Sequence, residues 1–141
     1  TGPTVTQRDG KVYVSMDDKL LFKSASFDIE TRGAEAVREL ANVLALNPDI
    51  NVTIEGHTDD VPYRGSGNLQ DNLDLSVKRA TTVSRLLLQN KGIDPVRIIS
   101  SGRGEWLPLD TADTAEARQR NRRTEIILTP KLDELLQIMN E

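Results

Sequence analysis

Asp59 and Arg79 are the residues whose charge and setting best suit the binding of a ligand. Asp59 ends a stretch that predicts a strand, and Arg79 lies close to Ser76, where the pattern predicts the start of a helix. In an open α/β sheet, ligands bind at the edge where strands end and the following helices begin. We therefore expect this acid and this base at one mouth of the fold. The alternative is a surface salt bridge between them, worth about 0–1 kcal/mol.

The expected first turn of this helix carries an unusual charge. Ser76 is the predicted N-cap, whose hydroxyl accepts from the free backbone N–H groups of the first turn. Lys78 and Arg79 then fall within that turn, where the helix dipole makes an exposed cation unfavourable by roughly 0.3–1 kcal/mol. Because a bound anion would offset this cost, the pattern favours an anion site at the helix start.

Composition limits the classes of function. The 141 residues fit one domain with a sizeable core, and the absence of cysteine excludes disulfides and thiolate chemistry. The net charge of −4, with both signs interspersed, argues against sequence-independent binding of nucleic acid. No apolar run approaches the roughly 20 residues of a membrane span, so we expect a domain that is not itself inserted in a membrane. The opening at residues 1–3 shows no targeting segment, which suggests an excised domain.

The periodicity of apolar residues predicts the elements that position the two charges. The stretch 51–59 alternates between an apolar and a polar face, which is typical of a sheet covered on one side. Asp17 and Asp18 mark a turn, and residues 20–27 fit either the arm of a hairpin or an extended loop. We expect strands at 11–15, 51–59, 97–101 and 123–129, helices at 33–46, 76–90 and 131–139, and a short helix or turn at 114–119.

The order of these elements predicts how they connect. A strand at 51–59, a helix at 76–90 and a strand at 97–101 form a crossover unit, so these two strands should be parallel. The loop at 60–74 is long for such a connection, and long ordered loops are more often functional than not.

Four fragments of the chain resemble, in order, the signatures of the OmpA-like peptidoglycan-binding domain. The resemblance spans about residues 20–129. It implies an α/β (α+β) two-layer sandwich with a βαβαβ-type core, in which helices pack on one side of a mixed four-stranded sheet. The whole chain, 1–141, would be one such domain. The fragments are GHTDDVPY (56–63), DNLDLSVKRA (71–80), SGRGEWLP (101–108) and RQRNRRTEI (118–126).

The resemblance also implies a function. Members of this family bind the peptide stem of uncrosslinked peptidoglycan without cleaving it, so we expect no catalysis, cofactor or metal. Matched to the motifs, Asp59 and Arg79 hold the diaminopimelate of the stem. The ammonium suits Asp59, and the carboxylate suits a bidentate fork from Arg79, with N–H groups of the helix start as further donors. The neighbouring contacts of the family map to Thr58, Asn72, Leu75 and Arg122. If the last strand runs antiparallel to the strand at 51–59, its start lies at the same edge of the sheet, and Arg122 then joins the mouth.

The wider role follows from the same resemblance. We expect a periplasmic domain of an outer-membrane protein that anchors the membrane to the cell wall, because the run at 124–135 is similar to OmpA-type proteins of Bacteroidota. A stator-type anchor of an inner-membrane motor is the alternative, since the loop at 61–63 is also similar to flagellar stator proteins. A third possibility is an assembly module or homodimer formed through the apolar helix at 131–139.

Other candidate residues have simpler interpretations. His57 is the single histidine, and a zinc site normally needs three or four protein ligands, so we interpret it as a structural hydrogen-bonding residue. Ser76 is better used as a cap than as a nucleophile beside His57 and Asp59. Trp106 is expected to anchor the core. The arginines between 118 and 123 suggest a solvated face with one or two functional members.

Overall fold

The structure, a computed structural model, describes residues 2–23, 26–130 and 139. The strands form one mixed sheet with helices on one side, as predicted. Its strands are β1 (Thr4–Arg8), β2 (Lys11–Asp17), β3 (Ile50–His57), β4 (Ile98–Gly102) and β5 (Arg123–Pro130). Its helices are α1 (Asp18–Leu21), α2 (Thr31–Leu46), α3 (Asn72–Leu87) and α4 (Ala115–Asn121), and a 3₁₀ turn covers Pro95–Arg97.

The sheet has the strand order β1-β2-β5-β3-β4, which brings the predicted site residues to one edge. β3 and β4 are parallel and are linked through α3, which confirms the predicted crossover unit. β5 is antiparallel to both β2 and β3, and His57 at the end of β3 lies opposite Arg123 at the start of β5. Residues just before β5 therefore lie beside residues just after β3.

The sheet has five strands, where the sequence predicted four. The additional strand is β1, which pairs antiparallel with β2 at the edge of the sheet, for example Val5 opposite Val14. Every residue of β1 is exposed. Because neither face of this strand is buried, its sequence carries no alternation of apolar and polar residues by which a strand is recognised.

The core lies between the sheet and the helices α2 and α3. Val37, Ala41 and Leu44 of α2 follow the predicted helical spacing, and each is at most 1% exposed. Val52 and Ile54 of β3 point into the same core. The two-layer arrangement predicted from one-sided burial of this strand is confirmed.

Two glycines allow α3 to lie close against the sheet. A Cβ at Gly56 of β3 would lie 2.1 Å from the carbonyl oxygen of Ser76, and a Cβ at Gly102 of β4 would lie 2.4 Å from Ser76 Oγ. Both distances are shorter than real Cβ contacts, so a larger residue at either position would push the helix away. The close approach fixes the height of α3 above the end of β3.

The start of α3 differs from the prediction. The helix begins at Asn72, and its N-cap is Asp71, whose side chain accepts from the backbone N–H of Asp74 at 3.0 Å. Ser76 is fully buried inside the helix, where its hydroxyl donates to the carbonyl of Leu73 and accepts from the N–H of Gly104. Ser76 is therefore a packing residue, and the predicted N-cap at Ser76 is wrong.

Two further segments also differ from expectation. Asp18 and the residues after it form the short helix α1, where a turn and then a hairpin arm or loop were expected. The helix is capped by the side chain of Asp17, which accepts from the N–H of Lys19 at 3.1 Å. At its other end, α3 stops at Leu87 with Leu88 as the C-cap, earlier than the predicted end at residue 90.

Trp106 is 67% exposed, so its predicted role as a core anchor is wrong. Its ring lies against Gly104, where a Cβ would be 2.7 Å away. Gly104 has φ 59, a conformation that glycine adopts without strain. The chain turns at Gly102-Arg103-Gly104 after β4, and the carbonyl of Gly104 accepts from the N–H of Thr58 at 2.8 Å.

The predicted helix at 131–139 lies outside the described residues, apart from Met139. Within the part of the chain that the structure describes, no helix combines the length and apolar character needed to cross a lipid bilayer.

Candidate ligand-binding cleft

A cleft of about 590 Å³ lies at the edge of the sheet where β3 ends. It is bounded by α1, the loop after β3, the first turns of α3 and the residues between α4 and β5. The structure brings all the sequence-predicted site residues to this cleft, and their part in ligand binding stays a prediction. They are Thr58, Asp59, Asn72, Leu75, Arg79 and Arg122.

Asp59 lies just beyond the end of β3 and is held on two sides. One carboxylate oxygen accepts from the backbone N–H of Val61 at 3.0 Å, and the other accepts from Nη1 of Arg122 at 2.6 Å. Thr58 donates from its hydroxyl to the carbonyl of Asp59 at 2.9 Å. These bonds fix the carboxylate at the start of the long loop and direct it toward the end of α4.

Arg79 is buried, and its partners are not those that the sequence suggested. Its Nε and Nη2 both donate to the carbonyl of Ser26, at 3.2 and 2.9 Å. Its Nη1 lies 3.6 Å from Oδ2 of Asp18, and its guanidinium carbon lies 4.9 Å from the ring centre of Phe22. The alternative interpretation, a salt bridge between Arg79 and Asp59, is therefore wrong. One edge of the guanidinium fork is already occupied by a carbonyl.

The position of Arg79 along α3 also changes the electrostatic argument. The helix begins at Asn72, so Arg79 lies about two turns further on, roughly 10 Å along the axis. The free N–H groups of the helix start are therefore not beside its guanidinium, and the dipole cost predicted for Arg79 does not apply. Burial lowers the pKa of Arg79 below its usual value, while the charge of Asp18 acts in the opposite direction.

Asn72 holds the long loop against α3. Its side-chain amide donates to the carbonyl of Val61 at 3.0 Å and more weakly to that of Asp59 at 3.4 Å. The residue is 6% exposed, although it lines the cleft. The loop residues Pro62 and Tyr63 form one wall of the cleft as a result.

Arg122 connects three elements at the opposite wall. It lies at the end of α4, directly before β5, and its Nη1 donates to Asp59. Its Nη2 donates to the side-chain oxygen of Gln119 at 2.6 Å, and its Nε lies 3.3 Å from Oδ2 of Asp18. The prediction that an antiparallel last strand would bring Arg122 to the mouth is confirmed.

Asp18 is a cleft residue that the sequence did not reveal. It lies at the start of α1, and its Oδ2 faces both Arg79 and Arg122. Burial raises the pKa of its carboxyl above the usual value, and the hydrogen bond from Gln119 and the two guanidinium groups oppose this rise. In the sequence, Asp17 and Asp18 suggested only a turn. The place of Asp18 in the cleft follows only from the pairing of β2 with β5.

The charges of the cleft alternate in sign. Arg79 faces Asp18, Asp18 faces Arg122, and Arg122 faces Asp59. Beside this row lie the side chains of Leu75 and Phe22, which offer apolar surface. The cleft therefore presents both signs of charge next to an apolar wall, an arrangement that suits an aliphatic ligand with charged groups of both signs.

His57 takes no part in this cleft. Its side chain is 1% exposed, and its Nε2 lies 2.9 Å from the carboxylate of Glu55, which agrees with the predicted structural role. This hydrogen bond is the main reason why the pKa of Glu55 is lowered. Among residues 2–23 and 26–130, no group of three or more acidic residues or histidines is arranged to hold a metal ion.

The arginines around Arg122 each face a carboxylate. Arg118 pairs with Asp113 and, at 3.2 Å, with Asp60. Arg120 pairs with Asp110, and Arg123 with Glu125 at 2.9 Å. These ion pairs neutralise the basic residues locally. Arg118 and Arg120 agree with the predicted solvated face, whereas Arg123 is buried together with Glu125 and does not. A functional role for Arg122 stays a prediction.

Comparison with known proteins supports one family. The family model described as the OmpA family matches residues 21–122. "Motility protein B" of Bacillus subtilis (strain 168) is 35% identical over 120 residues, which are 85% of this chain and 46% of that protein. "Probable lipoprotein YiaD" of Escherichia coli (strain K12) is 33% identical over 130 residues, which are 92% of this chain and 57% of that protein. The chain thus spans about half the length of these curated relatives.

Solved structures of similar proteins have the same fold as this chain. The periplasmic domain of Helicobacter pylori MotB matches with a TM-score of 0.82 at 26% identity, over 99% of this chain and 86% of that one. The cell wall anchor of the T6SS from Pseudomonas aeruginosa matches with a TM-score of 0.81 at 29% identity, over 92% of this chain and 88% of that one. None of these relatives is named as an enzyme. Since the family match covers most of the chain, this protein belongs to the OmpA family.

Proposed function

We propose that this domain binds peptidoglycan non-covalently, through the diaminopimelate of an uncrosslinked stem peptide. The observation that carries this proposal is the convergence of Asp59, Arg79 and Arg122 on one cleft, from three separate elements of the fold. Diaminopimelate presents an ammonium and a carboxylate on an aliphatic chain. The alternating charges and the apolar wall of the cleft match this combination.

The contacts suggest a specific mode of binding. The ammonium would lie near Asp59, the more accessible end of the charged row. The carboxylate would accept from Nη1 of Arg79 and from Arg122, because Nε and Nη2 of Arg79 are engaged by Ser26. The aliphatic part would lie along Leu75. Binding of this kind needs no bond cleavage, so the domain acts as an anchor and not as an enzyme.

A sedimentation assay with purified sacculi tests this function. The wild-type domain should sediment with the sacculi and release no soluble fragments. Asp59→Asn and Arg122→Ala should remain in the supernatant, while Arg120→Ala, which changes an arginine paired with Asp110 outside the cleft, should sediment normally. Binding by both cleft variants at the level of the wild type would contradict the site, and released muropeptides would contradict the absence of catalysis.

The domain is proposed to work in the periplasm, as part of an outer-membrane protein that anchors the membrane to the cell wall. The stator-type anchor is a second candidate, because proteins named motility protein B and MotB are among the similar chains. The full-length protein distinguishes them. Fractionation of the cell envelope should place it in the outer membrane, and recovery with the inner membrane would favour the stator.

The predicted role of residues 131–141 in self-assembly is tested separately. Sedimentation velocity of the domain with and without these residues should show a loss of dimer in the shorter chain. A monomer in both cases would remove this proposal and leave the cleft unaffected.

A further inference from the structure

Asp18 is the most constrained carboxylate of the cleft. Its backbone N–H donates to the carbonyl of Arg122 at 3.1 Å, and its Oδ1 accepts from the side-chain amide of Gln119 at 3.0 Å. Its Oδ2 lies 3.3 Å from Nε of Arg122 and 3.6 Å from Nη1 of Arg79. The carboxylate is thus held in one orientation, between two guanidinium groups.

The positive charges of Arg79 and Arg122 repel each other across the carboxylate of Asp18. The charge of Arg122 lowers the pKa of Arg79, and the charge of Asp18 raises it. Lys19, Lys23 and Glu30 also line the cleft. Within the row of paired charges itself, removal of Asp18 would leave two guanidinium groups and the single carboxylate of Asp59. With Asp18, the row has as many negative as positive charges.

We propose that Asp18 is a specificity-determining residue, which makes the cleft select a ligand group that carries an ammonium beside its carboxylate over a group that carries a carboxylate alone. A plain carboxylate approaching the arginines meets the negative charges of both Asp18 and Asp59. A zwitterionic group brings a positive charge that offsets this repulsion. The inference rests on the proposed function, since it concerns selection by the same cleft.

A matched pair of ligands tests the selection directly. Diaminopimelate and pimelate are the same dicarboxylate with and without amino groups, and their dissociation constants can be measured by calorimetric or NMR titration. The wild type should bind diaminopimelate at least about tenfold more tightly, given charges a few ångströms apart in a partly exposed site. In Asp18→Asn, this ratio should fall by about tenfold, because pimelate binding strengthens and diaminopimelate binding weakens.

The control is Asp113→Asn, which removes an exposed carboxylate that pairs with Arg118 away from the cleft. Its ratio should equal that of the wild type. An unchanged ratio in Asp18→Asn would overturn the role of Asp18. Equal binding of the two ligands by the wild type would overturn it as well, even if the variant failed to fold. If the wild type bound neither ligand nor sacculi, the proposed function itself would fail.

Discussion

Nη1 of Arg122 lies 2.6 Å from Oδ2 of Asp59, although 63 positions separate the two residues. The contact exists because β5 runs antiparallel to β3, which places the residue before β5 beside the residues after β3. It ties the end of α4 to the start of the long loop. The pair of Asp59 and Arg122 is therefore positioned by strand pairing and not by a local motif.

Replacement of Arg122 should weaken binding more than folding. The side chain is 30% exposed. After Arg122→Ala, the carboxylate of Asp59 keeps the N–H of Val61, and that of Asp18 keeps Arg79 and Gln119. We expect the loss of a charged hydrogen bond to ligand, roughly 1.5–3 kcal/mol, or at least about tenfold in affinity for a stem tripeptide. Calorimetric titration measures this loss, and thermal melting provides the check on folding. An affinity equal to that of the wild type would exclude Arg122 from the site.

Replacement of Asn72 should release the long loop. Asn72→Ala removes the amide that donates to the carbonyl of Val61 and leaves this acceptor without its partner. We expect faster proteolysis within residues 60–71 and weaker ligand binding, with a loss of stability of about 1–3 kcal/mol. Limited proteolysis followed by mass spectrometry locates the cleavage. Asn68→Ala, on the exposed part of the same loop, is the matched control and should be cut at the wild-type rate.

A methyl group at Gly56 should disturb the packing of α3. A Cβ there would lie 2.1 Å from the carbonyl oxygen of Ser76, so the helix must shift. Overpacking of this kind costs typically about 1–3 kcal/mol, and the shift should also displace Arg79 and reduce binding. Urea denaturation gives the stability change. Gly2→Ala, where no atom lies within 4 Å of the added Cβ, should leave both stability and binding unchanged.

Asp18 should make stability depend on pH in a defined direction. Burial raises the pKa of this carboxyl, so the folded protein binds its proton more tightly than the unfolded chain does. The contribution of Asp18 to the free energy of unfolding must then decrease as pH rises from the usual pKa through the raised one. Over this interval, the stability of Asp18→Asn relative to the wild type should rise with pH and become constant above it.

Urea denaturation over a series of pH values measures this difference. A relative stability of Asp18→Asn that stays flat or falls with pH would show that the carboxyl of Asp18 is not destabilised by burial.

The parts of the fold with alternating or helical periodicity were predictable from sequence. Val52 and Ile54 marked the buried face of β3, and the spacing in α2 marked its inward face. β1 was missed because all its residues are exposed. The start of α3 was misplaced because Asp71 and Ser76 are both good capping residues, and the packing of Ser76 against Gly56 is a tertiary feature that no local pattern shows.

The candidate cleft was predictable only in part. Asp59 and Arg79 belong to sequence motifs, and the position of Arg122 followed from the direction of the last strand. Their individual partners did not follow, because the carbonyl of Ser26 and the carboxylate of Asp18 reach the cleft only through the packing of α1 and the segment after it. Charge and position suggested that Asp59 and Arg79 meet, and the family resemblance added Thr58, Asn72, Leu75 and Arg122. The three-dimensional fold determines which atoms pair.

The contact between Asp18 and Arg122 joins residues near opposite ends of the described chain. A ligand that binds Arg122 beside Asp18 would therefore couple its own release to the separation of β2 from β5, and occupancy should stabilise the whole domain by an amount that grows with the logarithm of the ligand concentration. The proposed anchor domain would therefore resist unfolding most strongly while peptidoglycan occupies its cleft.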